Sequence, residues 1–403
     1  MVNRLTRTVR QSYFSRIASS FLGIFVGVLF VPGSVCLMSW NEYRTVHRAR
    51  GLIEAEDVVA EVADPLQILG DMDQRLVHVT GQATTEEVLS DDEFPIARLA
   101  LRLERQTEMY QWVEHEESKT RDKVGGGRET IKTYTYRQQW RSGLENSTSF
   151  EQPEGHENPQ PRYNSKSLTA QHAQLGAFQF RPELVNQIDS WQNIALDETS
   201  ILEKLEPSRR EHFRFEPERF YYSASSPPMS EPQVGDMRIQ FRVVEPKVVS
   251  VLAKQQNQSL EPFTTSNGET IESVQVGHVT TTAMFESLRR QNSFIAIIVR
   301  LVGWFMACLG CVIIIAPLKN IASVVPLFGR LIGIATFGIA FLLGSVITLV
   351  TIAVAWILVR PIFGITLLAF ACVGIFVLSR RWHRAKPTAS PRSSSVPPPL
   401  PSP

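Results

Sequence analysis

Gly155-His156-Glu157-Asn158-Pro159 is the most unusual polar cluster in the chain. A histidine beside a carboxylate and an amide is the raw material of a general base or a metal ligand. Either role needs partners, and no nucleophile or carboxylate cluster is identifiable as one. The same five residues also describe a turn, in which Gly155 and Pro159 fix the backbone while His156 and Asn158 bond the chain locally. Glu114, His115, Glu116 and Glu117 are ligand types as well, but an alternating strand splits them between two faces. Asp91, Asp92 and Glu93 precede Pro95 and read as a turn rather than an acid–base pair. Cys308 and Cys311 form C-x-x-C inside an apolar stretch and would share a helix face. A metal or redox pair is one reading, and small residues packing between helices is the plainer one. No phosphate-binding loop, dinucleotide fingerprint, zinc-protease helix or nucleophile elbow occurs. The expectation is a protein without catalytic residues, metal or cofactor.

Hydropathy decides what must position these residues. A membrane helix needs about 20 mostly apolar residues, and residues 17–40, 294–317, 331–359 and 361–378 supply four such stretches. The first also fits a cleaved signal peptide, but its apolar run is long and residues 41–50 read as a juxtamembrane flank, so retention is expected. Arg4, Arg7, Arg10 and Arg16 precede the first span, and Arg380, Arg381, Arg384 and Lys386 follow the last. Basic flanks favour the cytoplasm. Both the leader (1–16) and the tail (379–403) are therefore expected there, with the soluble segment 41–292 on the far side. All four cysteines lie in the spans, so they say nothing of the domain's redox compartment. The net charge of +1 suggests no nucleic acid partner. The tail from Pro387 is rich in Pro and Ser and reads as disordered.

The segment 41–292 has mainly strand periodicity. Residues 99–117 and 129–142 predict a long hairpin around the glycines Gly125-Gly126-Gly127. Further strands are expected at 75–80, 219–223, 236–244, 248–254 and 270–276, with helices over 182–191 and from 280 into the second span. The fold class is thus four transmembrane helices with a mostly-β (α+β) extracytoplasmic domain between the first two. Tyr110, Trp112, Tyr134, Tyr136 and Trp140 offer the hairpin a rigid aromatic contact area, or else form the domain core. Asn146 and Asn257 head glycosylation sequons that matter only in a secretory lumen. Arg300, Arg330 and Arg360 lie at the membrane, where an arginine faces a protein interior or snorkels; Arg330 and Arg360 can reach the headgroups, and Arg300, about two turns inside, is within reach of them too. Ser345, Thr348 and Thr351 could bond a neighbouring helix. No acid is found within the spans, which argues against proton-coupled transport.

The stretch 101–117 (LRLERQTEMYQWVEHEE) resembles the LUMA family, also called transmembrane protein 43. The resemblance runs through Trp140-Arg141-Ser142, Phe150, residues 155–159, residues 220–223 and residues 234–238. It continues through residues 260–265 and Asn267-Gly268-Glu269-Thr270 into Arg300, Gly303-Trp304, Trp356 and Arg360-Pro361. It implies a self-associating organiser of the endoplasmic reticulum and inner nuclear membrane, whose animal members contact lamins and emerin. It brings no catalytic residues. The short leader, the Pro/Ser tail and the excess of arginine over lysine favour a bacterial member, with the domain periplasmic. Two functions follow as expectations. One is a non-enzymatic membrane scaffold, forming homo-oligomers in the lipid bilayer and binding an unknown membrane protein partner through its domain. The other is a membrane-embedded enzyme or channel-like protein with a polar site among the C-terminal helices.

Overall fold

The computed structural model describes residues 4–123, 127–195, 201, 203–216, 218–225, 231–322, 326–359 and 373. Three helices among them are long and apolar enough to cross a membrane: α1 (Tyr13–Val58), α4 (Thr281–Ala322) and α5 (Pro326–Val359). The expected fourth span at 361–378 lies outside the described residues, apart from Val373. Two short helices, α2 (Pro182–Val185) and α3 (Pro207–Arg210), sit in the domain. The helix expected over 182–191 is thus one turn, opened by Pro182 and ended by Asn186.

α1 begins where Ser12 caps it, its hydroxyl accepting from the Ser15 amide at 3.2 Å. It does not stop at the apolar boundary. Past Trp40 it continues as a charged stalk to Val58, and α4 starts well before its own apolar stretch at Phe294. The mostly-β domain therefore stands on a pair of antiparallel helices, and the first strand after the stalk begins at Ala60.

The first sheet has eight strands. In spatial order they are β1 (Arg4–Gln11), β7 (Arg128–Arg141), β6 (Arg102–Asp122), β14 (Met237–Val244), β13 (Arg219–Tyr222) and β12 (Phe213–Glu216), with β8 (Lys166–Thr169) beside β6 and β11 (Gln192–Asn193) beside β14. Its buried face is aromatic, with Phe213 and Phe241 packed edge to face on Phe94 and Tyr163 and Phe220 tilted against it. Arg105 lies under this cluster at 4% exposure, satisfied by Asp91 and Glu93 at 2.6 Å each. The acidic turn is thus an internal ion-pair anchor.

The second sheet runs β19 (Ser273–Val276), β15 (Lys247–Gln256), β16 (Ser259–Glu261), β10 (Phe178–Phe180), β9 (Ala173–Leu175), β3 (Leu76–Thr85) and β2 (Ala60–Val62). An additional β15–β3 ladder closes five of these strands into a ring. Val77, Val79, Leu175, Phe178, Phe180 and Val251 fill it. Two ribbons, β4 (Val88–Ser90) with β5 (Ala97–Leu99) and β17 (Phe263–Thr264) with β18 (Thr270–Ile271), complete the strands. The strand expected over 270–276 is divided between β18 and β19, which join different sheets.

The leader gives an unexpected result. Arg4–Gln11 sets Arg4, Arg7 and Arg10 among Leu5, Thr6, Thr8 and Val9, a composition that suits an exposed edge strand. It pairs antiparallel with β7, from Arg4↔Thr135 to Gln11↔Arg128. Arg10 bonds Glu129 at 3.0 Å, and Arg7 reaches Glu151 at 2.5 Å.

Candidate functional site

Three features of the helix bundle build one polar seam. First, α1 and α4 run antiparallel with their backbones close. A Cβ added at Gly27 would lie 2.8 Å from the Gly310 carbonyl oxygen, and one at Gly303 would lie 2.5 Å from Met38 Cγ. Small residues permit such contact in a bilayer. Second, this closeness lets each helix read the other's main chain. Asn41 Nδ2 donates to the Ala296 carbonyl at 3.1 Å, and Asn292 Nδ2 donates to the Thr45 carbonyl at 2.9 Å. Each asparagine bonds the residue four positions beyond the other, so the pair forms a reciprocal clasp.

Third, Glu42 lies beside this clasp at 1% exposure. Arg300 donates to both its oxygens, Nε at 2.5 Å and Nη2 at 2.8 Å. Trp356 of α5 donates its indole N–H to the second oxygen at 2.7 Å. One carboxylate thus joins all three helices. Bidentate, charge-assisted bonds of this kind are the strong ones, and losing one partner leaves the other charge buried. A second indole repeats the logic nearby, Trp304 donating to Ser345 Oγ at 3.0 Å. At the far end of the bundle Arg16 bonds Asn320 at 3.2 Å, and Tyr13 bonds the Ile321 carbonyl at 3.1 Å.

Of the two places open to Arg300, a protein interior or the headgroups, the contacts show a protein partner: it pairs across the helices with Glu42. The acid it pairs with was missed because Glu42 stands two residues beyond Trp40, in what reads as a charged flank. Ser345 bonds a neighbouring helix as expected, whereas Thr348 and Thr351 return their hydroxyls to carbonyls of their own helix, Gly344 at 2.8 Å and Ile347 at 2.7 Å. Arg330 lies in α5, and Arg360 lies outside the described residues. Cys308 rests against the Phe341 carbonyl at 3.8 Å. Among the described residues no group of three His, Cys, Asp or Glu is arranged to hold a metal ion.

A second set of bonds clamps the domain to the stalk. The turn between β17 and β18 is closed by Thr265 and Asn267 and lies against α1. Asn267 donates to the His47 carbonyl at 2.8 Å, Arg48 binds Glu269 at 2.5 Å and the Thr270 carbonyl at 2.7 Å, and Ser266 bonds Glu54 through its amide at 2.7 Å and its hydroxyl at 2.5 Å. Gly51 permits the approach, since a Cβ there would sit 2.8 Å from Glu269 Cβ. On the α4 side Glu56 pairs with Arg289, and Glu61 bonds Thr281 and His78. Leu52 and Ala55 of α1, Met284 and Phe285 of α4, and Leu76 and Leu252 of the domain form the apolar centre of the joint.

The hairpin aromatics divide into two groups. Tyr134 and Tyr136 are buried at 5% and 2% exposure. Tyr136 stacks on His156 at 4.0 Å between centroids, and Trp112 meets His156 edge-on. Burial pushes the Tyr136 hydroxyl pKa well up, and its bond to the Glu114 carboxylate at 2.7 Å adds to this. Asn158 answers the main chain of Trp112 at both ends, accepting from its N–H at 2.7 Å and donating to its carbonyl at 2.9 Å. It thereby stands in for a strand partner, which accords with the turn reading of residues 155–159. Tyr110, Trp112 and Trp140 are half-buried. Tyr110 and Trp140 pair across the strands at 5.2 Å, with Arg238 over the Trp140 ring at 4.1 Å. Beside them lies a cleft of about 480 Å³, lined by Glu104, Glu108, Ser142, Ser165, Arg219 and Arg238 among others.

The family model for Transmembrane protein 43 matches residues 109–361, more than half the chain, from the hairpin to the end of α5. The chain belongs to the transmembrane protein 43 family. It is 29% identical to human (Homo sapiens) transmembrane protein 43 over 383 residues, covering 92% of this chain and 93% of the relative. It is 28% identical to the mouse (Mus musculus) protein over 389 residues, 94% of each. The Drosophila melanogaster transmembrane protein 43 homolog is 29% identical over 355 residues, 86% of this chain and 91% of the relative. No solved structure matches. The family match contains Arg300, Trp356 and the Asn267 turn, so two of the three contributors to the Glu42 site and the domain side of the clamp fall within transmembrane protein 43 sequence.

Proposed function

We propose that this chain is a non-enzymatic membrane scaffold that self-associates and binds a membrane protein partner through its β-rich domain. The observation that carries this reading is the clamp of Asn267, Glu269 and Ser266 on α1. A domain fixed to its stalk presents the same face to every neighbour, which lowers the ordering cost of association. The surface we assign to contact is the outer face of the first sheet around Tyr110, Trp112 and Trp140, with the polar cleft beside it. Its rings are held by stacking and its guanidinium groups are pre-positioned, properties of binding hot spots. In this reading four helices span the bilayer, both chain ends are cytoplasmic and the domain lies on the other side.

Arg219 borders the cleft and is 38% exposed at its side chain, so reversing its charge leaves the core untouched. Arg219→Glu is expected to reduce the cross-linked oligomer recovered from membranes while the thermal transition stays in place. Unchanged cross-linking with Arg219→Glu and with Tyr110→Ala together would remove this face from the scaffold reading.

A further inference from the structure

Where α1 and α4 leave their apolar stretches on the domain side, arginines meet acids. Arg48 binds Glu269, Arg289 pairs with Glu56, Arg290 with Glu286 and Arg300 with Glu42. Among the described residues Arg44 has no such acid. Its Nε and Nη2 are closed off from solvent, yet they donate to no protein acceptor. A guanidinium is always charged and offers five N–H donors in a planar fork, and burying such donors without an acceptor is costly. We infer that Arg44 binds the phosphate of an anionic phospholipid in the leaflet on the domain side. The inference depends on α1 crossing the bilayer and stands apart from the scaffold reading.

Face and depth carry the argument. Trp40, Tyr43, Arg44 and His47 follow the i, i+3, i+4, i+7 spacing of one helix face. That face lies opposite Met38, Asn41 and Thr45, which meet α4. Trp40 and Tyr43 are exposed on it, and Tyr43 stacks on His47 at 5.4 Å between centroids. Indole and phenol rings on an outward face, at the end of an apolar run, mark the headgroup level of a bilayer. Arg44 follows Trp40 by four positions, about 6 Å along the axis. Helical side chains lean towards the N-terminus, which on α1 is towards the hydrocarbon. The guanidinium therefore falls in the headgroup layer, which adds about 5–7 Å to each side of the core. A phosphodiester presents two oxygens and one negative charge to the fork. With Glu42, Glu56 and Glu269 already matched, the charge of Arg44 is balanced by a lipid with net negative charge, such as phosphatidylglycerol.

The test titrates phosphatidylglycerol into the full chain in lipid-free detergent and follows thermal unfolding, since a ligand of the folded state raises the transition. The parent is expected to rise by several degrees, and Arg44→Gln by less than a third as much. Arg290→Gln removes the same charge from the exposed side of α4 and is expected to rise with the parent. Without lipid, Arg44→Gln should unfold no earlier than the parent, because it loses no protein bond. Native mass spectrometry should find at least five-fold less phosphatidylglycerol retained on Arg44→Gln. Equal losses in Arg44→Gln and Arg290→Gln would assign the effect to net charge. An earlier lipid-free transition in Arg44→Gln would give Arg44 a protein partner. A rise of the parent with inorganic phosphate equal to that with phosphatidylglycerol would make the ligand a free phosphate. Any of these, or an undiminished response of Arg44→Gln, would overturn the lipid site.

Discussion

Asp236 and Glu42 show how this chain treats buried carboxylates: each is surrounded by donors. Asp236, at 0% exposure, accepts from the Tyr221 hydroxyl at 2.5 Å, Ser223 Oγ at 3.2 Å, and the amides of Ala224 at 2.9 Å and Gln233 at 2.8 Å. Burial, then the bond to Asp236, raises the Tyr221 pKa well above its ordinary value of 10.0. The folded hydroxyl keeps its proton where the unfolded one loses it, so its contribution is complete below pH 10 and is lost as pH rises beyond. Tyr221→Phe is expected to cost about 1.5–3 kcal/mol at neutral pH, the usual loss for a hydrogen bond to a charged group. It should also flatten the alkaline fall of the thermal transition, without abolishing it, because Tyr136 and Tyr222 are raised too. An alkaline branch identical to that of the parent would show that Tyr221 does not set it. Glu42 gives the sharper case. Arg300→Leu leaves that carboxylate buried and without its cation, which costs about 3–5 kcal/mol. Adding Glu42→Leu should recover most of the loss, and denaturant titration in detergent of both single variants and the double variant measures the coupling.

At the scale of elements, the joint between stalk and domain depends on Gly51. Gly51→Val would force the Glu269 side chain off α1. Limited proteolysis between residues 260 and 270 is expected to quicken several-fold while the helix and strand signals in circular dichroism stay unchanged. Proteolysis at the parent rate would mean that the turn is held without this contact. Nothing in the sequence marks Gly51 for this role, and the reason extends to the rest of the fold. The apolar runs and the alternation of β6 and β7 are local patterns, and they were legible. The stalk was not, because residues 41–58 are charged and their helix is stabilised by Leu52 and Ala55 packing on Met284 and Phe285, far along the chain. Strand 270–276 reads as continuous, yet the clamp takes its first half and the ring its second. The aromatic and His156 cluster was legible as chemistry-bearing residues, and its turn role also, but the Glu42 partnership requires knowing which residue of α1 meets Arg300.

At the scale of the whole molecule, β1 and the membrane make opposing demands. Only Ser12 separates the β1 strand from α1, and β1 lies on the far half of the hairpin, ending beside its tip. α1 is about 69 Å long at the standard rise. Its apolar residues 17–40 fall at the β1 end, and its other end meets the domain. A bilayer around those residues therefore separates β1 from the domain, unless the hairpin itself crosses the hydrocarbon. It cannot do so, since Glu116, Glu117, Lys119, Arg121, Glu129 and Lys132 would lose their water and an open strand edge would have no partner. The β1–β7 ladder and a membrane-spanning α1 thus exclude one another, and insertion must open the ladder. Thr6 and Thr133 are directly opposed in it. With the native cysteines replaced, Thr6→Cys and Thr133→Cys are expected to form a disulfide in detergent, where no bilayer intervenes, and to stay reduced in intact membranes. In sealed vesicles Thr6→Cys and Ser118→Cys should label from opposite sides. A disulfide formed at full yield in membranes would put the leader and the domain in one compartment, and it would end the reading in which both chain termini face the cytoplasm and the domain does not.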